Sequence, residues 1–205
     1  MSENKGKAKG QRKTGVNSLR VKDRTFTHMN GNQLVSVGVC YYQTGEIKGL
    51  CCMPVNTLLD PILTPLVMDV RSETLILDEG INRELVQDIF SDWVGHMKMP
   101  YGKKVILLVW DAVRFDREFR ELVDTEFEYT VHGYKCLQQI AHFRNDLAIE
   151  SGNPAPYPKN NLLSSAGRAL GDEYMEDCRN DAGYRALLTA KLYNILLKEK
   201  RTMWG

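Results

Sequence analysis

No apolar run in this 205-residue chain approaches the ~20 residues that span a bilayer, which excludes a membrane helix at the level of sequence. The opening MSENKGKAKGQRKTG has no apolar stretch, so it does not read as a secretory signal. An intracellular protein of cytoplasm or nucleus is expected. Cysteine is sparse: Cys40, Cys51, Cys52, Cys136 and Cys178 are an odd number, scattered, with no C-x-x-C pair. No two of His28, His96, His132 and His142 stand four apart. Structural zinc wants ligand pairs at short spacing, so reduced, mostly buried thiols are the expectation. Walker and Rossmann glycine patterns are absent, and no internal repeat is visible.

What is present is the composition of an ordinary folded domain, 43% hydrophobic and 26% charged. The length suits one core plus a tail. The formal net charge of +1 hides an asymmetry. Within residues 1–24, eight cations (Lys5, Lys7, Lys9, Arg12, Lys13, Arg20, Lys22, Arg24) against Glu3 and Asp23 leave +6, so the other 19 cations and 24 acids leave −5. A basic arm without apolar periodicity is expected to be disordered. It is either a solubilising tail or a source of salt-sensitive affinity for phosphates. The division expected is a basic disordered tail over residues 1–18 and one domain over residues 19–200.

Leu34 to Tyr42 is β-branched and aromatic, with Val35, Val37 and Val39 alternating, and reads as a strand. Gln43-Thr44-Gly45 is a turn, and Glu46 to Met53 the return strand, ended by Pro54. Residues 54–78 read as a long irregular connection. Leu85, Ile89, Trp93 and His96 mark the stripe of an amphipathic helix over Ile81 to His96. Val105 to Trp110 is almost wholly apolar, as a strand buried on both faces should be. Phe115, Phe119 and Leu122 mark a short helix, Phe127 to Val131 a further strand, and Leu137, Ile140, Ala141 and Leu147 another helix. After a Pro-rich loop from Ser151 to Pro158, Leu162 to Leu170 forms a helix closed by Gly171. Asp181, Tyr184, Leu188, Leu192 and Ile195 then follow one face of a long C-terminal helix. The expected class is α/β, three layers, with a mixed central sheet flanked by helices.

Three phrases in this order carry a resemblance. QLVSVGVCYYQTGEIKGLCCMPV (Gln33 to Val55), VILLVWDAVRFDREFREL (Val105 to Leu122), and NLLSSAGRALG followed by DCRNDAGYRALLTAKLY (Asn161 to Tyr193) are similar to segments of the DnaQ-like, DEDD 3′–5′ exonucleases, which have a ribonuclease-H-like fold. The first phrase resembles that family's second and third strands. The resemblance implies four acidic residues holding two Mg²⁺ or Mn²⁺ ions, with a His or Tyr as general base. Two cations ~4 Å apart clamp the attacking water and the leaving oxygen of a phosphodiester, and hard cations need several oxygen ligands.

Residue by residue, the resemblance places Asp116 at the second-motif aspartate; the alternative is a solvated helix charge. Asp181 matches the last aspartate, aimed across the sheet from the start of the C-terminal helix; the alternative is a residue favoured there by the helix dipole. The first motif, D-x-E, is met at best by Asp23-Arg24-Thr25, with Thr25 where Glu should stand. Another register puts Thr27 or His28 there, and a third view leaves Asp23 a surface charge. The general-base position falls on Glu176 (or Asp177 for the Tyr variant), and Asp111 replaces the usual Asn.

Loss of a general base alone costs typically 10²–10⁴-fold in rate, roughly 3–5 kcal/mol of barrier. The leading expectation is therefore a degenerate exonuclease fold that binds nucleic acid, RNA before DNA, with weak or no nuclease activity and no cofactor. Asp116, Asp181, Asp23 and Glu176 are then vestigial. One alternative is an active exonuclease in which Asp116, Asp181, Asp23 and Asp111 hold Mg²⁺ or Mn²⁺. Another is a protein-interaction module on the same fold. Tyr41, Tyr42, Trp110 and Tyr134 are candidates for base stacking, although aromatics in strands more often fill the core.

Overall fold

The computed structural model describes residues 32–56, 64–75, 80–98, 104–122 and 131–203. The expected tail over residues 1–18, the start of the domain, and Asp23, Thr27 and His28 lie outside the described residues. The chain is an α/β protein built on a five-stranded mixed sheet. Its strands are β1 (Asn32–Tyr41), β2 (Ile47–Val55), β3 (Leu66–Asp69), β4 (Lys104–Val109) and β5 (Val131–Cys136), in the order β3-β2-β1-β4-β5. β2 runs antiparallel to β1 and β3, while β1, β4 and β5 are parallel. The α-helices among the described residues are α1 (Arg83–Lys98), α2 (Ala112–Leu122), α3 (Leu137–Glu150), α4 (Leu162–Leu170) and α5 (Ala182–Met203).

β4 is apolar on both faces because helices cover both. Val105, Leu107 and Val109 meet α1 and α2 through Val86, Phe90, Val94, Phe115 and Phe119. Ile106 and Leu108 meet α3 and α5 through Leu137, Ala141, Leu192 and Leu196. Phe119 stacks on Phe115 at 4.7 Å and receives Phe90 edge-on at 5.0 Å, so three rings lock α1 to α2. Among the described residues no helix is long and apolar enough to cross a membrane.

The structure corrects three expectations. The core stripe of α1 is Val86, Phe90 and Val94, one residue on from the expected Leu85, Ile89, Trp93 and His96; Leu85 is 52% exposed where Val86 is 0%. Leu85/Ile89/Trp93 and Val86/Phe90/Val94 both step by four residues, so periodicity alone does not separate them. Pro54 lies within β2 and pairs with Val35. The Lys48 carbonyl faces β3, accepting from Val70, and every second residue of β2 turns to that same edge. Because β3 reaches only to Cys52, the missing N–H of Pro54 breaks no ladder. The connection after Pro54 holds a short strand, β3. The strand expected over Phe127 to Val131 lies outside the described residues except for Val131, the first residue of β5.

The tightest packing is between α5 and β1. A Cβ on Gly38 would collide with the carbonyl oxygen of Ala182 and the amide nitrogen of Ala186. The bare glycine lets the two backbones approach, and three side chains bond across the gap. Ser36 Oγ donates to the Ala186 carbonyl at 2.6 Å, Thr189 Oγ1 to Val37 at 3.2 Å and Arg185 Nη1 to Val39 at 2.9 Å. Gly38→Ala is expected to destabilise the fold by about 1–3 kcal/mol through overpacking. In Gly95→Ala the added Cβ meets nothing within 4 Å. That change should stabilise α1 by roughly 0.5–1 kcal/mol. Urea unfolding of the two variants checks both signs.

At the β1–β2 turn, Gly45 takes φ 91°, and Glu46 ties the turn to the segment after β3. Its carboxylate accepts from Ser72 Oγ (2.6 Å), Thr44 Oγ1 (2.8 Å), Thr74 Oγ1 and the Glu73 amide (3.0 Å). The hydroxyls of Ser72, Thr74 and Thr44 favour the ionised form and lower its pKa from 4.5 to about 2. A depressed carboxylate stabilises the fold above its unfolded pKa, and that contribution disappears as pH falls through the folded one. The stability advantage of the wild type over Glu46→Gln should be constant above pH 4.5 and shrink towards pH 2, as acid titrations of both proteins will show.

Candidate functional site

β1 and β4 run parallel, so their carboxyl ends open on the same side, a place where α/β sheets commonly bind ligands. A cleft of about 790 Å³ lies there. Val37, Val39 and Tyr41 of β1 line it, with Val109, Trp110 and Asp111 at the end of β4 and Arg114 and Phe115 of α2. The opposite wall is the chain from Tyr157 through α4 to Arg179, together with Arg185 of α5.

That wall is pinned from behind. Asn145 of α3 bonds Tyr157 in both directions, Nδ2 donating to its carbonyl and Oδ1 accepting from its amide, each at 2.8 Å. Asn161 caps α4 by accepting from the Ser164 amide at 2.8 Å. Tyr184 Oη accepts from the Met175 amide at 2.6 Å, and Lys191 pairs with Glu173 at 3.0 Å. Tyr174 lies against Gly167, where a Cβ would meet its ring at 3.5 Å.

Among the described residues the cleft is electropositive: Arg114, Lys159, Arg168, Arg179 and Arg185 face it against two carboxylates, Asp111 and Glu176. Arg114 lies over the Tyr41 ring, 4.0 Å from its centre, and pairs with Glu118 at 2.8 Å. Burial and the nearby Glu118 charge push the Tyr41 hydroxyl pKa up, so it stays protonated at neutral pH. Arg185 is committed to backbone, donating to Val39 and, through Nε, to Arg179 at 2.6 Å. The indole N–H of Trp110 is buried with no acceptor among the described residues.

The candidate acids have separate places. Asp111 lines the cleft and caps α2, Oδ1 accepting from the Arg114 amide at 3.0 Å. Glu176 lines the opposite wall and pairs with Arg179 at 2.7 Å. Hydrogen bonds from Arg179 and then Tyr174 lower its pKa below the usual carboxylate value, the wrong direction for a general base at neutral pH. Asp116 turns to β5, where Tyr134 Oη donates to it at 2.8 Å, and does not line the cleft. Asp181 caps α5 by accepting from the Tyr184 amide at 2.5 Å and does not line the cleft either. β1 is bonded on both edges, to β2 and β4. The residues β1 brings to the cleft are Val37, Val39 and Tyr41, none of them acidic. Among the described residues, no three His, Cys, Asp or Glu side chains are grouped to hold a metal ion.

Reading the sequence passed over the cations of the cleft. Lys159 lies just beyond the Pro-rich loop, while Arg168, Arg179 and Arg185 sit on or between helices, where charge is ordinary; only the fold brings them opposite Tyr41 and Trp110. All five cysteines are free thiols. Burial pushes Cys40 and Cys52 up, and Cys51 to about 11, so these three stay protonated and poorly nucleophilic. No protein-family model, curated protein or solved structure matches the chain.

If Asp181 serves as a cap, Asp181→Ala should cost about 0.5–2 kcal/mol, and Asp181→Asn should retain most of that stability, because an amide oxygen can accept the same bond. Equal losses in urea unfolding would contradict the cap role.

Proposed function

We propose that this protein binds single-stranded nucleic acid, RNA in preference to DNA, in the cleft at the ends of β1 and β4, with weak or no nuclease activity. On this reading the domain is a degenerate, three-layer, ribonuclease-H-like member of the DnaQ-like exonucleases. A mixed sheet with helices against both faces is the arrangement that the resemblance implies.

The observation that carries the reading is the charge of the cleft. Five cations face two carboxylates, and Asp111 and Glu176 each already accept from Arg114 or Arg179. A two-metal nuclease needs the reverse, an excess of carboxylate oxygens free to hold cations. Cations beside aromatic side chains suit a phosphodiester strand whose bases stack. RNA is favoured because recognition of unpaired RNA relies on stacking and on groups that meet the 2′-hydroxyl, and the rim supplies Asn160, Asn161 and Ser164. The basic arm over residues 1–24 would add sequence-independent attraction.

Labelled single-stranded RNA and DNA, titrated at several salt concentrations with and without Mn²⁺, test this. Binding that weakens as salt rises, without cleavage, is expected. Mn²⁺-dependent digestion abolished in Asp116→Ala and Asp181→Ala would overturn it in favour of an active exonuclease. No binding at all would leave a protein-interaction module.

A further inference from the structure

The cations of the cleft are not equivalent. Arg114 is stacked on Tyr41 and paired with Glu118, Arg179 is paired with Glu176, and Arg185 is bonded to two carbonyls. An incoming phosphate must compete with those partners. Lys159 and Arg168 both line the α4 side of the cleft, are exposed, and their side chains make no hydrogen bond or ion pair among the described residues. Their counterions are free to leave when a phosphate arrives, which is the source of salt-dependent affinity. On the facing side, Trp110 keeps a buried indole N–H without an acceptor. Its ring nevertheless lines the cleft, and an aromatic face there is a surface on which a base can stack.

We propose that the bound strand runs its phosphates along the α4 wall on Lys159 and Arg168, and turns its bases to Trp110. The two jobs fall on different walls of the cleft: charge on one, an aromatic surface on the other. This rests on the reading of the cleft as a nucleic-acid site. Its own content is which residues carry the affinity and which way the strand faces. A cleft of about 790 Å³ is of a size to take a short single-stranded stretch.

The test uses the full chain and a labelled uridine- and adenosine-containing RNA octamer. Affinity is measured across a salt series for the wild type, Lys159→Ala, Arg168→Ala, the double variant and, as a control outside the cleft, Lys48→Ala. Each cleft variant should lower the salt slope by ~0.7, and the double variant by ~1.4, uniformly across sequences; Lys48→Ala should leave it unchanged. Melting temperatures should match the wild type, since neither side chain supports the fold. RNA should also quench tryptophan fluorescence, and Trp110→Phe should remove most of that quench. An unchanged slope in both cleft variants, with the wild type still binding, overturns the assignment while the cleft reading stands. A lowered slope with no quench overturns the orientation. Binding lost wholly on deleting residues 1–24 and untouched by cleft variants overturns both.

Discussion

The closeness of α5 to β1 is the constraint on which the rest of the molecule depends. Helix and strand backbones touch at Gly38, where any side chain would strike Ala182 and Ala186. Small residues recur along the helix at Ala182, Ala186 and Ala190, all buried. Ser36, Thr189 and Arg185 then bond across the gap, so that contact without bulky apolar side chains still satisfies the polar groups it buries. The helix is thereby fixed in position along the strand. Its first turn lands at the carboxyl end of β1, bringing Arg185 and Arg179 beside Val39.

The cleft follows from that placement. Its α4 wall leans on α5 through Tyr184 and Lys191 and on α3 through Asn145. Arg144 joins those two helices, donating from α3 to the Leu196 carbonyl at 2.9 Å. The walls are therefore set by the core, and the chemistry between them is decided by which side chains remain uncommitted. Among the acids, Asp111 and Asp181 hold helix ends and Asp116 holds β5 to α2. Each carboxylate has structural work that brings it no nearer the others. A helix cap gains its stability from one oxygen fixed on a backbone amide, and that geometry serves the cap irrespective of any ligand.

Much of the sheet was legible in the sequence because its signals are local. The wholly apolar Val105 to Val109, the alternation through Val35, Val37 and Val39, and the turn at Gly45 each specify their element without outside help. α1 was legible as a helix but not in its orientation, since Leu85/Ile89/Trp93 and Val86/Phe90/Val94 have the same period, and only the covering of Phe90 by Phe119 selects the second row. β3 was hidden because four residues, alternating in burial at an edge, carry almost no pattern. Of the acids singled out in the sequence, Asp111 and Glu176 line the cleft. Asp116 and Asp181 were named as metal ligands, while the alternative role considered for Asp181, at a helix start, matches its place as a cap. The cations were missed because Lys159, Arg168 and Arg185 acquire meaning only when distant segments meet, and no spacing along the chain records that meeting.

Photocrosslinking of a 4-thiouridine-substituted RNA octamer to the full chain, with the modified peptides identified by mass spectrometry, tests the central claim most directly. Crosslinks should fall on peptides that contain Trp110, Tyr41 or the Tyr157–Arg168 wall, and a divalent-metal chelator should leave their yield unchanged. Crosslinks confined to residues 1–24, or a yield and RNA length that change with Mn²⁺, would contradict an electropositive, metal-independent binding cleft.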